Sequence, residues 1–155
     1  MIDVYDAQYA DFSELVGKIS LFCQNYHNKC VVMHTIDKIY FLYHSQDCCE
    51  SVYIDDICGE LSDLCGTKIY RAEENSDMNS TEDGVLKWTF YKLDGEAGDV
   101  VIKWLGESNG YYSVAVDTMV YDMLPDEIDW LHFLSFNLDS SAFERLLPSQ
   151  ITGTR

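Results

Sequence analysis

The sequence predicts an α+β fold: a mostly antiparallel sheet, a meander of about six to eight short strands, with one connecting helix and helices at the C-terminal end. Three observations predict it. Short β-branched and aromatic runs recur between clusters of turn residues, which is the pattern of strands. Apolar residues at Ile57, Cys58, Leu61, Leu64 and Cys65 share one face at helical spacing, with Asp55-Asp56 before them and Gly66 as the stop. Pro125-Asp126-Glu127 then has the chemistry of a helix first turn, with proline at the start and acids beside the positive end of the dipole.

Taken in order, Asp11 to Val16 reads as a short helical or irregular lead-in. Lys18 to Gln24, Lys29 to Thr35 and Ile39 to His44 read as a meander whose second connection, Asp37-Lys38, is a weak turn. Cys23 and Cys30 would face each other across the first hairpin, close enough for a bridge only in an oxidising setting. Val52 to Ile54 leads into the connecting helix, and strand character resumes over Thr67 to Ala72. Glu73 to Gly84 is polar and acidic and reads as a surface loop. Val85 to Leu93, Asp99 to Leu105 and Tyr111 to Thr118 are three further strands. Asn109-Gly110 between the last two predicts a type I′ hairpin, because both residues tolerate positive φ. Helices are expected from Pro125 to about Phe136 and from Ser141 to Leu147, with a frayed tail from Pro148.

The 155 residues form one expected domain, large enough to bury a core without staples. With 27 Asp and Glu against 10 Lys and Arg, the net charge is -17. Such a field repels phosphates and anionic headgroups, so direct nucleic-acid and membrane binding are disfavoured and a host protein with a basic surface is the partner it suits. No basic-then-apolar leader opens the chain and no apolar run approaches the ~18 residues of a membrane helix, so a cytoplasmic location in the host cell is expected, with the six cysteines as thiols.

The densest chemistry lies in His44-Ser45-Gln46-Asp47-Cys48-Cys49-Glu50, an imidazole, two carboxylates and two thiols within seven residues. Structural zinc wants spaced cysteine pairs, whereas adjacent Cys48 and Cys49 would point to opposite sides of an extended strand, so no metal and no cofactor are expected. A thiolate activated by His44 is opposed by the nearby Asp47 and Glu50 carboxylates, and no catalytic residue is assigned. No phosphate loop, nucleophile elbow or dinucleotide fingerprint is present. At a second place, Glu107, Asn109, Tyr111 and Tyr112 could offer a carboxylate and aromatic faces beside a turn. Asp126, Glu127 and Asp129 beside Trp130 and Phe133 could form an acidic face around aromatic anchors. Two long stretches support an acidic surface: Ile39 to Thr67 carries six acids and Trp104 to Glu144 eight, neither with a Lys or Arg.

The phrases from Tyr43 to Val52, Leu61 to Leu64, Trp88 to Lys92 and Gly106 to Ser113 resemble a family of small phage- and prophage-associated domains of unknown function. The resemblance covers about residues 15–118, leaving 120–147 as a helical extension and 148–155 as the tail. It implies a phage setting and no agreed reaction. The expected function is therefore a non-enzymatic acidic binding protein, plausible as an antagonist of a nucleic-acid-directed host defence of the anti-CRISPR or anti-restriction type, with DNA mimicry as one route. The competing expectation is a small-ligand or nucleotide binder, or a metal or thiol enzyme, whose pocket joins the His44–Glu50 cluster to the Glu107–Tyr112 turn.

Overall fold

A computed structural model describes residues 7–36 and 38–121. The described residues form nine strands: β1 (Gln8–Tyr9), β2 (Ser20–Tyr26), β3 (Cys30–Thr35), β4 (Ile39–Tyr43), β5 (Ser51–Cys58), β6 (Arg71–Thr81), β7 (Gly84–Asp94), β8 (Asp99–Ser108) and β9 (Asp117–Tyr121). The helical structure among the described residues is two 3-10 turns, Phe12–Leu15 and Leu61–Leu64. The fold is mostly β, and the α+β class is overturned. The helices expected over Pro125–Phe136 and Ser141–Leu147 lie outside the described residues, as do the acids Asp126, Glu127 and Asp129.

Two antiparallel sheets face each other. One has the order β1-β9-β4-β3-β2 and the other β5-β8-β7-β6. The core between them includes Val31, Met33, Tyr40 and Leu42 from the first sheet and Ile54, Tyr91, Ile102 and Trp104 from the second. These positions alternate along their strands, as a half-buried pleated surface requires.

Three local expectations fail for physical reasons. The apolar period after Asp55 does not become a helix, because Val52 to Cys58 bonds along β8 instead, with Ile57 opposite Ile102 and a bulge between Ile54 and Asp56. Asp55 and Asp56 are thus strand residues and not a helix start, and Lys103 Nζ lies 3.7 Å from the Asp55 carboxylate. Gly59, at φ +98, ends the strand, and only four residues turn helically after it.

The acidic stretch from Glu73 is no loop. It forms β6, paired with β7 in unbroken register from Arg71↔Asp94 to Thr81↔Gly84. Beyond Ala72 the strand is exposed on both faces, so it has no apolar alternation for a sequence reading to detect.

The turn at Asn109-Gly110 forms no hairpin. Gly110 has φ +97, while the Asn109 side chain accepts the Tyr111 N–H at 2.9 Å in an Asx turn, and the chain leaves the sheet. Residues 111–116 are irregular, and the next strand, β9, pairs with β1 and β4 in the other sheet. The mirror-image turn chemistry sits instead at His27-Asn28, with φ 51 and 60 and the Lys29 N–H bonded to the Tyr26 carbonyl at 3.0 Å. That turn places Cys30 opposite Tyr26 and Cys23 opposite Met33, so Cys23 and Cys30 do not face each other and both are free thiols.

Candidate functional site

The His44–Glu50 segment is the crossover from β4 in the first sheet to β5 in the second. Residues 109–116 are the return crossover, from β8 to β9. Because β4 neighbours β9 and β5 neighbours β8, the two crossovers run side by side. Tyr43 pairs with Asp117 at one end, and Ser51 pairs with Glu107 at the other. Gly106 makes the approach close: a Cβ there would meet the Val114 Cβ at 2.7 Å.

His44 joins the two crossovers. Its Nδ1 lies 2.7 Å from the Ala115 carbonyl oxygen of the return crossover, and its Nε2 lies 2.6 Å from Glu50 Oε2. Both residues are buried. Glu50 also accepts the Asp47 N–H at 2.8 Å and the Cys48 N–H at 2.9 Å. Burial alone would push this carboxyl up, but the Cys48 N–H, the His44 ring and the Asp47 N–H outweigh it and hold it down at about 2. The Ala115 carbonyl oxygen can only accept, so His44 Nδ1 carries its proton toward it and Nε2 faces the Glu50 carboxylate. The Gln46 amide adds a bond to the Glu50 carbonyl at 2.7 Å.

The sequence-selected residues therefore separate into two groups. His44 and Glu50 are an internal staple with no nitrogen left over to activate a thiol. Asp47, Cys48 and Cys49 are exposed on the crossover. The sulfurs of Cys48 and Cys49 are joined, which corrects the expectation of two opposed thiols; the backbone bends at these residues and is not extended. Glu107 pairs with Ser51, just after the His44–Glu50 segment, and His44 itself is tied to Ala115 beyond the Glu107–Tyr112 turn. Glu107, Asn109 and Tyr111 point to solvent, with the Tyr111 and Tyr112 rings edge to face at 5.0 Å. Among the described residues no group of three or more His, Cys, Asp and Glu side chains could hold a metal ion.

The staple makes a pH prediction. A carboxyl lowered from 4.5 to about 2 on folding stabilises the fold fully above its unfolded value and loses that contribution as pH falls toward about 2. Urea midpoints measured from pH 6 downward are expected to hold to about pH 5 and then fall, and in Glu50→Gln this acid-side loss should shrink. Asp117 acts in the opposite sense: burial pushes its carboxyl up, with His44 and Lys87 pulling it partly back. An unchanged acid profile in the Gln variant would contradict the staple.

Sequence reasoning missed a groove of about 600 Å³ between the sheets. Its walls carry four carboxylates, Asp11, Glu73, Glu74 and Asp117, with Tyr9 beside them and no Lys or Arg in the lining. Asp11 caps the first 3-10 turn through Ser13 at 2.9 Å, and Glu73 is held by Arg71 at 2.8 Å. Glu74 lies beside the Tyr91 hydroxyl, which burial first and Glu74 second push well above the ordinary tyrosine range. Tyr9 is 76% exposed. These residues are far apart in sequence and belong to four different elements, so no local motif could have announced the groove.

Residues 13–118 match the family described as a domain of unknown function, DUF7448. The chain belongs to this family. The matched span includes both crossovers and three of the four groove carboxylates, leaving out Asp11. No curated protein and no solved structure matches the chain. Among the described residues no helix is long and apolar enough to cross a membrane.

Proposed function

We propose that this protein is a non-enzymatic acidic binding protein that receives the cationic side chains of a partner protein in the groove between its sheets. The observation that carries this reading is the groove itself, four carboxylates around a concave surface whose lining holds no Lys or Arg, with Arg71 paired to Glu73 alongside it. Carboxylates gathered around a concave surface focus potential more than the same charges on an open face. The exposed Tyr9 supplies an aromatic face for an Arg or Lys stem at the rim. The resemblance to phage- and prophage-associated domains extends the proposal to a host setting. There, a basic nucleic-acid-directed defence protein is the class of partner that a -17 chain would suit.

The test is a titration of the ¹⁵N-labelled protein with an oligo-arginine peptide. Shifts are expected to concentrate at Tyr9, Glu74, Asn75 and Asp117, and affinity should fall steeply from low to high salt. Shifts spread evenly over the acidic surface would reject the groove as the site.

A further inference from the structure

We propose that the free edge of β6 takes an extended, cationic strand of a partner protein, which enters from the groove and continues the four-stranded sheet. The inference rests on the groove reading for the partner's charge and adds the partner's conformation. Among the described residues β6 is the outermost strand of its sheet. It runs for 11 residues and pairs with β7 on one side in unbroken register. On the other side, main-chain bonds close the edge only up to Ile69. There the Gly17 N–H donates to the Ile69 carbonyl at 2.8 Å, and the Ile69 N–H to the Lys18 carbonyl at 2.9 Å. From Arg71 on, every second residue turns its N–H and C=O away from β7. Such a row of backbone groups is a template for another strand.

Natural sheets blunt such edges with Lys, Pro, bulges or very short strands. β6 has neither Lys nor Pro, no break in its register, and unusual length. Its side chains leave the row open, since past Ala72 every residue is exposed, Met78 at 59%. What the edge does carry is negative charge. Residues 71–83 hold Glu73, Glu74, Asp77, Glu82 and Asp83 against the single Arg71. A second copy laid along this edge would set acids beside acids, and like charges on neighbouring strands are destabilising. The same charge favours a strand rich in Lys or Arg.

The groove fixes where that strand begins. Residues 72–75 of β6 form part of its wall, together with Asp11 and Asp117. Glu74 follows the core residue Ala72 by two positions and so shares its face, turned toward the other sheet. A cationic side chain received in the groove therefore lies at one end of the open run 76–81. Six residues of added strand would cover about 20 Å of that run. Charge is read in the groove, while the run toward the hairpin tip contributes main-chain bonds.

The probe is a decapeptide of alternating Arg and Thr, compared with the same peptide N-methylated at every backbone nitrogen, against the ¹⁵N-labelled full chain. Before peptide is added, alternate β6 amides should exchange at open-strand rates. Protection at that stage would overturn the proposal, because the edge would already be paired. At saturating peptide these amides should slow by about tenfold or more, together with shifts at Glu74, Asn75 and Asp117. Methylation keeps the charge but removes the peptide's donors, so it should weaken binding by about tenfold or more. Groove shifts without β6 protection, or equal affinity of the two peptides, would overturn strand addition and leave the groove reading standing. Absence of the groove shifts would reject both.

Discussion

Replacing Glu50 by alanine is expected to destabilise the fold by about 3–5 kcal/mol, the range for removing one partner of a buried ion pair. For a chain of this size that is a fall of roughly 10–20 °C in Tm. The loss has identifiable parts. The Asp47 and Cys48 N–H groups lose their acceptor, and the His44 ring keeps its bond to the Ala115 carbonyl but no longer faces a carboxylate. His44→Ala should cost a similar amount, since it leaves Glu50 buried with its side-chain hydrogen-bond partner gone. Because each variant already breaks the same contact, the double variant should cost clearly less than the sum, and the shortfall measures the coupling. Urea unfolding of the two single variants and the double variant checks this. A cost below about 1 kcal/mol for Glu50→Ala would mean that the pair is not what joins the crossovers.

The consequence reaches beyond one contact. Each sheet is held internally by its own ladders, but the two crossovers carry the chain between them, and His44 ties one crossover to the other. Loosening the tie frees the beginning of β9 at Asp117 and the beginning of β5 at Ser51 together. Asp117 lines the groove, so the staple also sets one of the groove's charged walls. The His44–Glu50 cluster thereby acts on the candidate site by position and not by chemistry of its own.

What was legible in the sequence follows from which forces are local. The meander strands β2, β3 and β4 were readable because their alternation and their turn residues are contiguous. The pair β7 and β8 was readable for the same reason. The helix expected after Asp55 failed because a ladder with β8, nearly fifty residues away, outweighed a helical period that the local residues only weakly supported. β6 was unreadable because an edge strand exposed on both faces carries no apolar period at all. The phrase His44 to Glu50 stood out by composition, yet its hydrogen bonding depended on Ala115, a backbone carbonyl that no side-chain motif could reveal. The groove was invisible for a related reason: Asp11, Glu74 and Asp117 become neighbours only once the two sheets have closed.

Neutralising Glu74 and Asp117 together, as Glu74→Gln with Asp117→Asn, is expected to weaken oligo-arginine binding by about tenfold or more. That corresponds to roughly 0.7 kcal/mol or more per carboxylate, within the range for solvent-exposed charge pairs. The control is Asp77→Asn with Asp83→Asn, which removes the same charge from the exposed β6–β7 hairpin and should change affinity far less. Equal losses from both pairs would show that the overall field, and not the groove, recruits the cation. Stability separates the two explanations further. The Asp117 carboxyl is pushed up because burial disfavours its charged form, so holding it ionised near neutral pH costs the fold free energy. Asp117→Asn is therefore expected to keep or raise the unfolding midpoint at pH 7 while it lowers affinity. A substitution that strengthens the fold and weakens binding marks a charge kept for its partner, since a carboxylate present only for packing would show both effects with the same sign.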